Sequence, residues 1–75
     1  MRQLTAIENE TIKRLEFAER RDAVKGGTGH RSTNDVADYH GITLQEADTM
    51  LNALVELGMV NAFEDDGEDL WKIAQ

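Results

Sequence analysis

The stretch Asp35-Val-Ala-Asp-Tyr-His-Gly-Ile-Thr-Leu-Gln-Glu-Ala47, continued by Leu51-x-x-Leu54-x-x-Leu57-Gly-Met-Val60, decides the fold. Gly41 ends one helical pattern and Thr43-Leu-Gln-Glu46 opens another. At that spacing a Thr hydroxyl and a Glu carboxylate each accept the other residue's backbone N–H, which starts a helix. Leu44, Ala47, Met50, Leu51, Leu54, Val55 and Leu57 then form a broad apolar stripe. Gly58 is a natural left-handed terminator. Upstream, Ser32 stands three residues before Asp35 and caps a shorter helix whose apolar face is Val36, Ala37 and Tyr39. Two helices joined only by Gly41-Ile-Thr43 make a helix-turn-helix over about residues 33–57.

Downstream, Met59 to Phe63 and Leu70 to Ala74 flank Glu64-Asp-Asp-Gly-Glu-Asp69. Asp66-Gly67 suits a type I′ turn, in which both central residues take positive φ. With those two at the tip, Asp65 faces Glu68, Phe63 faces Leu70, Ala62 faces Trp71 and Val60 faces Ile73. The two-residue period puts Val60, Ala62, Trp71 and Ile73 on the core side and Phe63 and Leu70 on the other. Upstream, Leu4, Ile7, Thr11, Leu15 and Ala18 trace one stripe of a helix over about residues 3–24. Lys25-Gly-Gly-Thr-Gly-His30 ends it. Together with the following Arg31, Ser32 and Thr33, this loop partly looks like a phosphate loop. It follows a helix rather than a strand and lacks the Lys before Ser or Thr, so it reads as a connector.

The expected architecture is one domain over residues 1–75, mainly α with a small β-hairpin: three helices and a C-terminal two-stranded hairpin over about 59–74. The expected core is Leu15, Val36, Leu51, Leu54, Val60, Trp71 and Ile73. A chain of 75 residues without cysteine has no disulfide and no thiolate metal site. His30 and His40 are the only histidines, and neither is spaced with a nucleophile or a ligand set, so they read as exposed or locally capped. No enzyme activity, metal or cofactor is expected. Without a long apolar run, the chain reads as cytoplasmic and free of the membrane.

Charge divides the chain. The net charge is −7. Residues 1–31 carry seven Lys and Arg against five acids, or +2; residues 32–75 carry Lys72 against ten acids, or −9. The third helix contains no Lys or Arg, and five of the six residues at the hairpin tip are acidic. Such a surface opposes the phosphate neutralisation on which most nucleic-acid affinity rests. It also suits proteins of salt-loving cells, because in molar salt the Debye length shrinks to about 3 Å.

The quoted run and its Leu-x-x-Leu-x-x-Leu-Gly-x-Val ending resemble the core of winged helix-turn-helix transcription regulators, over about residues 32–74. That resemblance implies a winged helix whose third helix reads DNA and whose hairpin is the wing. It makes Gln45, Thr49 and Asn52 the base readers, and Arg20, Arg21, Lys25 and Arg31 the phosphate contacts. Leu70-Trp-Lys-Ile-Ala74 also resembles the last strand of Zalpha domains. Their Asn and Tyr positions are Asp48 and Asn52 here, so that reading is set aside. Two partners remain open: DNA for a regulator, or a basic protein docking on the acidic third helix and wing. Ile12, Phe17 and Val24 lie off the main stripe and suggest a homodimer through the first helix.

Overall fold

The computed structural model describes residues 2–74. Its elements are α1 (Ala6–Lys25), β1 (Arg31–Ser32), α2 (Thr33–His40), α3 (Leu44–Glu56), β2 (Val60–Asp65) and β3 (Glu68–Ile73). The strands form one antiparallel sheet in the order β1-β3-β2. Each helix opens with a capping box: Thr5 with Glu8, Ser32 with Asp35, and Thr43 with Glu46. The hairpin register is as expected, pairing Val60 with Ile73, Ala62 with Trp71, Phe63 with Leu70 and Asp65 with Glu68. Asp66 and Gly67 both have positive φ, 53° and 79°, as a type I′ turn demands.

The core joins Leu15 of α1, Val36 and Ala37 of α2, Ala47, Leu51 and Leu54 of α3, Val60 of β2 and Trp71 of β3. Trp71 donates its indole N–H to Thr33 Oγ1 at 2.9 Å, which ties the last strand to the start of α2. Thr11 is buried on α1 and donates to the Ile7 carbonyl at 2.8 Å. Its one proton is thereby used, so His40 Nε2, at 2.7 Å, is the donor in their contact. His40 is half-buried and braces α2 against α1, rather than standing in solvent. Burial pushes its pKa below the ordinary value.

Several expectations need correction. The sheet has three strands rather than two, because Arg31–Ser32 pairs with Trp71 and Leu70 of β3. Two residues are too few for an alternating pattern to announce a strand. The first helix begins at Ala6 rather than near residue 3, because the Thr5–Glu8 capping box fixes its start; Leu4 precedes it and packs on the core from outside the helix. Ile12 also packs on the core, whereas Phe17 and Val24 remain exposed at 61% and 87%. Ala62 is exposed despite facing Trp71, because within β2 only Val60 is buried. Ile73 is half-buried. Leu44 belongs to the α3 stripe yet is 52% exposed, since the stripe runs past the layer that covers it.

Candidate nucleic-acid interface

Burial of Ala47, Leu51 and Leu54 sets the rotation of α3 about its axis. The outward face is then Gln45, Thr49, Asn52 and Glu56, all exposed and spaced by three or four residues. The three expected base readers therefore share one solvent face. The Asn52 side-chain amide donates to the Asp48 carbonyl at 2.9 Å, which orients it along the helix. Glu46 is engaged in the cap: it accepts the Thr43 N–H at 3.0 Å, and that bond holds its carboxyl below the ordinary range.

Gln45 stands on the ridge between two hollows. On one side, a groove of about 540 Å³ between α1 and α3 has Ile7, Ile42, Met50 and Ala53 as its apolar lining and Thr49 at its edge. On the other, a hollow of about 410 Å³ lies between the start of α2, the start of α3 and the wing, with Leu44, Asp48, Glu68 and Asp69 in its wall. Among the described residues, no Lys or Arg lines either hollow.

The expected phosphate contacts do not form one patch. Arg21 and Arg31 line a small hollow of about 50 Å³ together with Arg14, Phe17 and Ala18. Arg20, the next residue along α1, lies in a different hollow beside Glu16, Glu19 and Ile73. Adjacent helical residues point about 100° apart, which separates this pair. Lys25 ends α1 and is exposed. Arg14, on the basic side of the chain but not among the expected phosphate contacts, joins Arg21 and Arg31 in the small hollow. Its spacing of seven from Arg21 puts both on one helical face, and that signal was available.

The glycine-rich loop positions this hollow. Asp22 Oδ2 accepts the Gly29 N–H at 2.9 Å and an Arg31 guanidinium N–H at 3.1 Å, and both hold the Asp22 carboxyl below its ordinary pKa. Gly27 lies so close to Asp22 that an added Cβ would meet its side chain at 2.8 Å. Gly29 combines φ +82° with a Cβ position 3.1 Å from Glu19 Cα. The loop thus wraps an internal carboxylate, which explains its glycines without a bound phosphate. Arg14 stacks on the Tyr39 ring, 4.2 Å from its centroid. The His30 and Phe63 rings meet edge to face at 4.6 Å on the outer side of the sheet. Among the described residues no cluster of His, Cys, Asp or Glu could hold a metal ion, and no helix is long and apolar enough to cross a membrane.

Three helices with a helix-turn-helix joint, a strand before α2 and a C-terminal hairpin define a winged helix-turn-helix. A similar solved structure is the winged helix-turn-helix DNA-binding domain of a possible ArsR-family transcriptional regulator from Mycobacterium bovis, a homodimer in solution. The similarity has a TM-score of 0.59 and 24% identity, and covers 100% of this chain and 77% of that one. No family model matches the chain, and no curated protein matches it.

Proposed function

We propose that this chain is a DNA-binding winged-helix domain that serves transcriptional regulation. The observation that carries this reading is the outer face of α3. The second helix of a helix-turn-helix here presents Gln45, Thr49 and Asn52 together in solvent. Amide side chains pair with adenine edges in the major groove, and a hydroxyl serves any base. Arg21 and Arg31, with Arg20 and Lys25 further out, supply phosphate contacts. The acids beside Gln45 oppose DNA at long range, and salt screens that opposition to about 3 Å near 1 M. Phe17 and Val24, exposed on α1, offer an apolar seam to a second copy of the chain. The homodimeric state of the M. bovis domain supports that pairing.

A titration with mixed-sequence duplexes at low and high salt tests the reading. Saturable binding at low ionic strength, weakened alike for every duplex by Arg20→Ala with Arg21→Ala, is the expected result. Absence of duplex binding at low ionic strength overturns it. The second reading, a module that binds a basic protein, draws on the hollow walled by Asp48, Glu68 and Asp69 without a cation. Under it, changing Asp65, Asp66 and Asp69 to Asn abolishes binding to that partner, while under the DNA reading the same change leaves duplex binding equal or stronger.

A further inference from the structure

We propose that Arg14, Arg21 and Arg31 form a receptor for a single phosphoryl group. This deepens the phosphate-contact part of the DNA reading, but the site itself stands on its own geometry. Three guanidinium-bearing side chains from α1 and β1 line one hollow. Asp22 is the one acid bonded to the set; it contacts Arg31 and is already occupied by the Gly29 N–H. Counting formal charges, three arginines and one aspartate leave +2 at this spot, in a chain whose total is −7.

Arg14 supplies the second observation. Its Nε is buried and has no hydrogen-bond partner, a costly condition for a charged group's N–H. Its guanidinium also stacks on the face of Tyr39, which takes no hydrogen bond in the guanidinium plane. Arg21 is exposed and belongs to no ion pair among the described residues. Arg21 thus has charge and donors to spare, while Arg31 spends one guanidinium nitrogen on Asp22 and the His30 carbonyl. A single planar fork matches a carboxylate, whereas three forks from three backbone positions suit an anion with oxygens in several directions, as a phosphoryl group has. The hollow, about 50 Å³, exceeds the roughly 10–15 Å³ that one water needs, so a small oxyanion seats at its mouth.

Titration of the full chain with inorganic phosphate, against KCl of equal ionic strength, tests the site through backbone amide shifts. The expected result is a saturable response confined to the end of α1 and to β1, absent with chloride. Arg21→Gln, an exposed change that leaves the fold alone, weakens phosphate about tenfold, the scale of one charge-assisted hydrogen bond. Arg14→Lys keeps the charge, loses the fork and also weakens it. Lys13→Gln, which removes a charge outside the hollow, does not. Equal responses to phosphate and chloride, or an undiminished response in Arg21→Gln, overturn the site whatever DNA does. A duplex arm identifies the source. If phosphate displaces a bound duplex, the site holds a backbone phosphate. If phosphate binds without disturbing a bound duplex, it holds a free phosphomonoester, and the site stands apart from the DNA reading.

Discussion

Two hollows of opposite sign lie on this small domain. The one between α1 and β1 gathers three arginines; the one between α2, α3 and the wing gathers Asp48, Glu68 and Asp69. The total charge foretells the second and hides the first. What separates them is helical geometry and two close contacts. Arg14 and Arg21 share a face, Arg20 turns away, and Asp22 draws the loop and Arg31 back onto α1. A partner that recognises charge therefore meets different chemistry at the two hollows, and net charge alone is a poor guide to what each binds.

The largest expected effect comes from the core that holds the two regions in place. Leu54 is fully buried in that core. Leu54→Ala should cost about 2–5 kcal/mol, read by denaturant unfolding. A loss below about 0.5 kcal/mol would mean that α3 does not present the face described.

A smaller effect belongs to the acidic hollow. Replacing Asp48 and Asp69 with Asn and Glu68 with Gln should raise duplex affinity at least about threefold at low ionic strength, as charges of this kind contribute about 0.2–1 kcal/mol each. The gain should vanish near 1 M salt, where screening leaves about 3 Å of reach. A fall in affinity would reassign these acids as contacts.

The same crowding of acids should make the protein more stable in salt. Thermal melts between about 0.05 and 2 M KCl should rise, by roughly 4–8 °C for each kcal/mol of repulsion relieved. A melting temperature that falls over this range removes repulsion from the account.

A further effect, confined to low pH, separates a structural acid from the surface acids. Glu8 is buried at the start of α1, gripped by the Arg2 fork and by the Thr5 N–H. These bonds, Arg2 first, hold its carboxyl down to about 2 from 4.5. A carboxyl lowered on folding stabilises the folded state above its unfolded value and loses that contribution as pH falls toward the folded one. Glu8→Gln should therefore be less stable than the parent above about pH 4.5, with the difference closing as pH approaches 2. A constant difference across that range would show that the pair contributes shape rather than charge.

The parts of this fold that were legible in sequence rest on local chemistry. Ser32 and Asp35, Thr43 and Glu46, and Asp66-Gly67 each name a backbone conformation within four residues, and their elements followed. Thr5 and Glu8 make the same statement, but Leu4 extends the apolar stripe beyond them and masks it. What stayed hidden depends on residues far apart in the chain. Arg31 became a strand residue only because β3 lies beside it. Exposure of Ala62 and Leu44 depends on where neighbouring layers end. The candidate base readers came out together because one helix carries all three. The candidate phosphate contacts came apart because nearness in sequence, Arg20 beside Arg21, is not nearness on a helix.

The central claim is that the α3 face reads sequence while the arginine hollow holds phosphate. Duplex binding measured across a salt series, for the parent, Arg21→Gln and Gln45→Ala, tests it most directly. The account predicts that Arg21→Gln weakens all duplexes alike and lowers the salt slope by about one unit. Gln45→Ala should leave that slope unchanged and alter which duplex is preferred. No duplex binding by the parent at low ionic strength, or a salt slope unmoved by Arg21→Gln, would contradict it.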